Sequence, residues 1–237
     1  MYKAILFDLD GTLLPLDMDK FVQEYFKRLS SYCAQIVEPQ KFIKELLTAT
    51  QLMIKNPGHF TNEDVFMRAF LPAINQEKTK MEPLFEKFYI EEFPKLKGQL
   101  QKTSLASRIV ATAVEKGYKI VLATNPLFPQ LAIQHRMEWA GVKNYPWELV
   151  TSYENFYSAK PNIAYFQEIA DKIGLEPQEC LMVGNDVQED MVASEIGMGT
   201  FLVTDYLIDR QVPKYQVQNE GTLLELEDYI ANLPSLE

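Results

Sequence analysis

Cysteine is nearly absent from this chain of 237 residues, which contains only Cys33 and Cys180. The two residues lie far apart and show no Cys-x-x-Cys spacing, so the sequence favours neither a disulfide framework nor a structural zinc site. Reduced cysteines are typical of intracellular compartments. We therefore expect a cytoplasmic protein.

Basic residues are also fewer than acidic residues. The chain has 23 lysine and arginine residues against 33 aspartate and glutamate residues, a formal net charge of −10. Nucleic acids and anionic membrane surfaces attract basic patches, so this charge argues against both as partners. Any phosphate group that the protein binds is expected to be small and held in a local site.

Long apolar runs are missing as well. No stretch approaches the length of about 18 apolar residues that indicates a membrane-spanning helix, and Asp8 and Asp10 interrupt the apolar run near the N-terminus. The sequence therefore predicts neither a membrane span nor a signal peptide, and we expect the mature chain to begin at its first strand.

Short apolar runs alternate with helical periods over much of the chain. The strongest strand candidates are residues 4–7, 118–123 and 180–183, with weaker ones at 148–151 and 200–203. Helical periods at residues 104–115 and 162–173 separate them, and another is predicted near 223–233. Together with 47% hydrophobic residues, this alternation predicts an α/β fold with a doubly wound parallel sheet.

Residues 16–97 break the alternation and show helical periods instead. Apolar side chains recur at helical spacing from Phe21 onward, Thr61 and Asp64 are spaced as in a capping box, and residues 82–93 predict a further helix. We expect an all-helical insert whose aromatic and methionine side chains form its own core.

The insert divides the chain into two predicted domains. Residues 1–15 and 98–237 are expected to form the sheet-containing catalytic core, and residues 16–97 the helical domain. The segments 15–17 and 97–99 are candidate hinges, because proline or glycine interrupts each of them.

Polar residues follow all three strong strands, and ligands bind beyond the carboxyl ends of strands in an open parallel sheet. Asp8 and Asp10 come directly after the first strand at positions i and i+2, so persisting strand geometry would point both into one volume. Thr124 and Asn125 follow the second strand. Neighbouring carboxylates repel each other, and Mg²⁺ removes this repulsion because it prefers oxygen ligands. Asp186, after another strand, is the natural third carboxylate.

Each motif alone also has a simpler explanation. An Asp-Gly pair such as Asp10 and Gly11 is common in turns that close strands. A single lysine such as Lys160 is most often a surface residue, and Asp186 and Asp190 also suit the first turn of a helix. The position of Lys160 directly before a proline at a predicted helix start favours a functional role over that of a surface residue.

Taken in order, four segments resemble the motifs of the haloacid dehalogenase-like hydrolase superfamily. They are DLDGT at residues 8–12, ATN at 123–125, AKP at 159–161 and GNDVQED at 184–190. The resemblance spans about residues 1–204. It implies a three-layer, Rossmann-like parallel-sheet core with a helical cap inserted after the first motif. The sequence GND stands where many relatives have GD.

The resemblance also implies catalytic roles. Asp8 would attack phosphorus and form an aspartyl-phosphate, while Asp10 would protonate the leaving oxygen and then activate water. Thr124 would donate a hydrogen bond to the phosphoryl oxygens, helped by the backbone beside Asn125. Lys160 would neutralise charge on Asp8 and on the phosphoryl group.

A magnesium site is implied in the same way. The ligands would be the Asp8 side chain, the main-chain carbonyl of Asp10 and the Asp186 side chain. Asp190 would bind the metal through water or act as a partner of Lys160.

Asp10 narrows the activity that the resemblance implies, because members that dehalogenate or cleave phosphonates lack this acid. We expect a magnesium-dependent phosphatase that acts on a small phosphorylated metabolite, as a monomer or a homodimer. A phosphomutase, with His59 as its candidate cap group, and a non-catalytic relative that binds metal or phosphate stay open as alternatives. The substrate is not indicated, although Arg68, Tyr25 and Lys20 are candidates for setting specificity.

Overall fold

The computed structural model describes residues 1–98 and 104–236. Within these residues, the structure has eight α-helices and one sheet of six parallel strands. The strands are β1 (Ala4–Phe7), β2 (Lys119–Leu122), β3 (Leu149–Val150), β4 (Cys180–Gly184), β5 (Gly199–Val203) and β6 (Asn219–Gly221). The helices are α1 (Met18–Tyr32), α2 (Pro39–Ile54), α3 (Asn62–Ala73), α4 (Lys78–Glu91), α5 (Leu105–Glu115), α6 (Gln130–Trp139), α7 (Ile163–Ile173) and α8 (Leu223–Asn232). In this described part, no helix is both long and apolar enough to cross a membrane.

The strand order β3-β2-β1-β4-β5-β6 places β1 in the interior of the sheet. All four residues of β1 are buried, because helices cover both faces, and this explains its continuous apolar run. Ile5 and Phe7 belong to the hydrophobic cluster on one face, whereas Ala4 and Leu6 belong to the cluster on the other. The carboxyl ends of β1, β2 and β4 consequently meet at one edge.

Helices on both faces complete three layers. One face is covered by α5, α6 and α8, which contribute buried side chains such as Ile109, Ile133 and Leu226. The other face is covered by α7 and a 3-10 helix at Met191–Ile196, and Tyr165 of α7 is fully buried there. The predicted α/β fold with a doubly wound parallel sheet is confirmed.

Helices α1 to α4 all lie between β1 and β2 in the chain, and residues 16–97 contain no strand. The Asp17 side chain accepts a hydrogen bond from the Lys20 backbone at 3.2 Å and caps α1. Thr61 caps α3 in the same way by accepting from the Asp64 backbone at 3.2 Å, as its spacing predicts. The segment is therefore a helical insert, and its action as a cap stays a prediction.

The insert and the sheet-containing part share one hydrophobic cluster. Phe21 of α1 packs against Phe128 and Trp139, with ring centroids 6.4 Å apart in both pairs. The division into domains at 15/16 and 97/98 stays a prediction. Gln99, in the second candidate hinge, lies outside the described residues.

Three elements differ from the prediction. Helix α4 begins at Lys78 rather than at residue 82. It accommodates Pro83 in its second turn, because this proline is exposed and its missing N–H removes only one hydrogen bond of the helix. Helix α6 was not predicted, since its apolar residues follow no clean period. Strand β6 has the sequence Asn-Glu-Gly, which has low strand propensity, and it forms an edge by backbone pairing with β5.

Candidate active site

A cavity of about 180 Å³, here called the polar cavity, lies at the carboxyl ends of β1, β2 and β4. Six of the predicted site residues line it: Asp8, Asp10, Thr124, Asn125, Asp186 and Asp190. Lys160, the seventh, forms an ion pair with Asp8. The fold therefore brings all of these residues together, and the roles that the resemblance implies for them stay predictions.

Lys160 is a buried cation beside Asp8, and only 1% of its side chain is exposed. Its Nζ donates hydrogen bonds to Asp8 Oδ1 at 2.9 Å and to Asp190 Oδ1 at 2.6 Å. Burial alone would lower the pKa of Lys160, but the two carboxylates raise it well above its ordinary value. Lys160 is therefore a fixed positive charge.

The other oxygen of Asp8 faces Thr12. The Thr12 hydroxyl lies 3.1 Å from Asp8 Oδ2 and 3.1 Å from Asn185 Oδ1, within hydrogen-bond distance of both. Gly11, directly after Asp10, has a φ of +82°, and a Cβ there would collide with the Asn185 side chain. Asn185, the residue in which GND departs from GD, thus packs against the turn that follows Asp8.

Asp10 forms a buried ion pair with Arg136 of α6, whose Nη1 donates to Asp10 Oδ2. Arg136 is 1% exposed, its Nε donates to the Ala132 carbonyl at 3.3 Å, and its Cζ lies 4.4 Å from the Phe128 ring centroid. Burial raises the pKa of Asp10 to about 6, although Arg136 lowers it. Within the described residues, Asp10 Oδ1 and Arg136 Nη2 are buried without a hydrogen-bond partner, which points to a polar ligand here.

Thr124 and Asn125 follow β2 in a tightly held loop. The Thr124 carbonyl accepts hydrogen bonds from Thr151 Oγ1 at 2.6 Å and from the Tyr165 hydroxyl at 2.9 Å. Asn125 Nδ2 donates to Glu189 at 2.9 Å, while Asn125 Oδ1 is buried and has no partner in the described part of the chain. These contacts fix the loop against the sheet.

Asp186 is held by a second arginine. Arg210 Nη1 lies 2.7 and 2.8 Å from the two carboxylate oxygens of Asp186. The backbone N–H groups of Gln188 and Glu189 also donate to Asp186 Oδ1, both at 2.9 Å. The Arg210 side chain is 51% exposed, whereas the Arg136 side chain is 1% exposed.

The sequence analysis missed the two arginines and Glu189, which also lines the polar cavity. Arg136 lies three residues after Ile133 and next to Met137, both buried, so it occupies the apolar side of α6. A charged residue among buried apolar positions of a helix indicates a buried partner of opposite charge, because charged residues are rarely buried unless they are paired. Arg210 lies in the connection between β5 and β6, where no periodic pattern predicts which way its side chain points.

Comparison with known proteins identifies relatives over most of the chain. Residues 2–195 match the family model described as haloacid dehalogenase-like hydrolase. A glyceraldehyde 3-phosphate phosphatase of Methanopyrus kandleri is 25% identical over 95% of this chain and 97% of its own length. A second protein of that name, from Methanothermobacter thermautotrophicus, is 29% identical over 51% of this chain, a match that spans about half of its own length, 52%. A pyrophosphatase, PpaX, of Bacillus velezensis is 22% identical over 94% of this chain and 95% of its own.

Solved structures share the fold. A HAD phosphatase from Thermococcus onnurineus superposes with a TM-score of 0.64 at 20% identity, covering 99% of this chain and 100% of that chain. An L-2-haloacid dehalogenase from Xanthobacter autotrophicus superposes with a TM-score of 0.60 at 13% identity, covering 98% of this chain and 100% of the other.

Proposed function

The chain belongs to the haloacid dehalogenase-like hydrolase family, and we propose that it is a magnesium-dependent phosphatase. Its substrate is a small phosphorylated metabolite, and hydrolysis passes through an aspartyl-phosphate on Asp8. Relatives named glyceraldehyde 3-phosphate phosphatase and pyrophosphatase, which match nearly the whole chain, support this choice of reaction.

The observation that carries the proposal is the pair of carboxyl groups in one cavity. Asp8 and Asp10 both line the polar cavity, and Arg136 holds Asp10 from α6. The departing oxygen of a phosphate ester needs a proton, whereas a departing halide needs none. An acid fixed two residues after the nucleophile is therefore useful for ester hydrolysis in particular.

Two steps complete the reaction. In the first, an Asp8 carboxylate oxygen bonds to phosphorus while the bond from phosphorus to the leaving oxygen breaks, and that oxygen takes a proton from Asp10. In the second, water attacks phosphorus and gives a proton to Asp10, and the bond between Asp8 and phosphorus breaks. Free phosphate leaves, and both carboxyl groups return to their starting states.

The remaining polar groups stabilise the transferring phosphoryl group. Lys160, within 2.9 Å of Asp8, offsets the repulsion between two anions. Thr124 and Asn125 line the same cavity and hold the phosphoryl oxygens. Asp190 keeps Lys160 in place from its other side.

The donor set fits Mg²⁺. Asp8, Asp186 and the main-chain carbonyl of Asp10 would hold it, and all three are the oxygen donors that Mg²⁺ prefers. Among the described residues no cluster of three or more His, Cys, Asp or Glu side chains is arranged around a metal position, so a metal held here would also need main-chain, water and substrate oxygens. Counted with Lys160, the cavity has five acidic and three basic side chains, and this excess of acidic groups suits a cation. The metal supplies charge neutralisation at the phosphoryl oxygens when bound.

The alternatives gain no support from the candidate cap group. His59 is exposed on the loop before α3 and does not line the polar cavity, so no observation favours a phosphomutase. The cytoplasmic location, the absence of nucleic-acid partners and the monomeric or homodimeric state stay predictions.

Phosphate release tests the proposal directly. The wild type is expected to release phosphate from an aryl phosphate and from members of a panel of small phosphorylated metabolites with Mg²⁺, and to stop when EDTA removes the metal. Asp8→Asn is expected to lower the rate by at least roughly 10³-fold, because it removes the nucleophile. Asp228→Asn is the matched control, since Asp228 is exposed on α8.

Calorimetric titration with Mg²⁺ adds a readout that does not depend on turnover. The wild type is expected to bind the metal, and Asp186→Asn to bind it more weakly. Isomer formation from a sugar phosphate, without free phosphate, would establish the mutase instead. A wild type that neither binds Mg²⁺ nor hydrolyses any panel member would favour the non-catalytic relative.

A further inference from the structure

A second cavity, of about 220 Å³ and here called the apolar cavity, lies between helices of the insert and the loop after β2. Met18, Leu127 and Phe128 line both this cavity and the polar cavity. The Phe128 ring contacts both environments, because its centroid lies 4.4 Å from Arg136 Cζ and 5.3 Å from the Tyr25 ring centroid. The two cavities therefore adjoin each other along these side chains.

The lining of the apolar cavity carries no charged side chain; apart from one threonine and three tyrosines, its residues are apolar. The polar atoms of three of these four are already paired: Thr50 Oγ1 donates to the Leu46 carbonyl at 2.9 Å, and the Tyr25 and Tyr89 hydroxyls lie 2.7 Å apart. Burial raises the pKa of Tyr25 to about 12, so its hydroxyl stays neutral. This cavity offers no cation to a second phosphate or a carboxylate.

Two charged side chains of the insert, Lys20 and Arg68, contact other residues and do not line the apolar cavity. Lys20 is exposed and pairs with Asp17 at 2.8 Å, and Arg68 is exposed with its guanidinium 3.8 Å from the Phe60 ring centroid. Of the specificity candidates that the sequence suggests, Tyr25 is the one that lines the apolar cavity.

We infer that the apolar cavity receives the leaving group, and that the substrates are phosphate monoesters of apolar alcohols, either medium-length alkyl or benzylic. This inference rests on the proposed function. An apolar cavity of about 150 Å³ is large enough to hold benzene, so one of about 220 Å³ accommodates a substituted ring or a chain of roughly six to eight carbons. The phosphoryl group stays among the charges of the polar cavity, and the ester oxygen lies at the boundary.

Hydrogen bonds hold the insert against the rest of the protein beside this cavity. Asn62, fully buried at the start of α3, donates from Nδ2 to the Ser158 carbonyl at 3.0 Å and to the Pro126 carbonyl at 3.3 Å. The Glu63 backbone donates to the carbonyl of Tyr153, a lining residue, at 2.8 Å. The cavity is thus formed before a ligand arrives, which lowers the entropy cost of binding.

A chain-length series of substrates tests the inference. Each methylene that enters the cavity is expected to raise kcat/KM about fourfold, so hexyl phosphate should exceed ethyl phosphate by on the order of 10²-fold. Glycerol phosphate, whose hydroxyls would lose their hydrogen bonds to water, should rank below butyl phosphate.

Two matched variants test whether the preference for longer alkyl chains depends on the apolar cavity. Val22→Phe fills the apolar cavity from α1 and is expected to lower the ratio of kcat/KM for hexyl phosphate to that for ethyl phosphate at least tenfold. Val65→Phe is the control, because Val65 is also half-buried in the insert, on α3, but does not line the cavity. It is expected to leave the preference unchanged.

Binding of alkylphosphonates separates this inference from the phosphatase proposal, because these compounds bind without being hydrolysed. Calorimetric affinity that rises from ethyl- to hexylphosphonate in the wild type, but not in Val22→Phe, supports the inference even where no ester is hydrolysed. Equal affinities along the series overturn it. Hydrolysis of ethyl and hexyl phosphate at equal rates also overturns it while leaving the phosphatase proposal intact.

Discussion

Replacing Arg136 with methionine is expected to lower both stability and activity, because the change leaves the Asp10 carboxylate buried without its cation. The Arg136 side chain is 1% exposed and the Asp10 side chain 9%. Methionine keeps an unbranched apolar side chain and has a helix propensity close to that of arginine. The substitution therefore isolates the loss of the charge and of its hydrogen bonds.

The size of the stability loss follows from the burial of the pair. Removing one partner of a buried ion pair costs about 3–5 kcal/mol, and about 1 kcal/mol shifts Tm by 2–4 °C in a chain of this size. A fall in Tm of about 6–20 °C is therefore expected. Arg108→Met is the control: Arg108 pairs with Glu227 at the surface, where water and salt screen the interaction, so little change is expected.

The activity loss follows from the orientation of Asp10. Misplacing a catalytic group by about 1 Å can cost about 100-fold in rate, and we expect a fall in kcat of this size for Arg136→Met. Arg136→Lys keeps a positive charge without the planar geometry of the guanidinium, so it is expected to rescue only part of the rate.

A double-variant cycle distinguishes positioning from a merely structural role. Steady-state kinetics is measured for Arg136→Met, Asp10→Asn and the combined variant, together with thermal unfolding of each. If Arg136 acts through Asp10, its replacement has almost no further effect on kcat once Asp10 is asparagine. The reasoning is refuted if Arg136→Met lowers kcat by the same factor in both backgrounds.

Two further predictions concern the packing of the core. Gly184→Ala is expected to lower kcat, because its Cβ would collide with the Asp190 carboxylate that holds Lys160; unchanged kinetics would show that Asp190 can move without consequence. The thiols of Cys33 and Cys180 are expected to resist Ellman's reagent in the native protein and to react after denaturation. Both are buried, and burial raises their pKa values to about 12 and about 11, respectively. Labelling of the native protein as fast as the unfolded protein would contradict this.

The sheet and the acidic residues of the site could be predicted because the relevant signal is local. A strand covered on both faces is a continuous apolar run, and the polar residues that end it, such as Asp8 and Thr124, lie where parallel strands place them. The helix caps could be predicted for the same reason, since Thr61 and Gly174 form hydrogen bonds with backbone groups three or four residues away.

The arginines could not be predicted in the same way, because their partners are distant in the chain. Arg136 meets Asp10 across 126 positions, and the contact depends on how α6 packs on the sheet. Arg210 reaches Asp186 from an irregular connection across 24 positions. The formation of strand β6 depends on its backbone pairing with β5 rather than on the strand propensity of its own residues.

The charged and apolar cavities together explain why Asp10 needs a fixed position. An alcohol that leaves into an apolar cavity departs poorly as an alkoxide, because that lining has no charged side chain to stabilise a negative charge. In the proposed mechanism, proton transfer from Asp10 therefore accompanies the breaking of the ester bond. The proposed reaction needs its proton donor at the boundary between the cavities. Arg136 binds Asp10 and lies over the Phe128 ring that lines both cavities, so this arginine is the residue that we expect to hold Asp10 in that position.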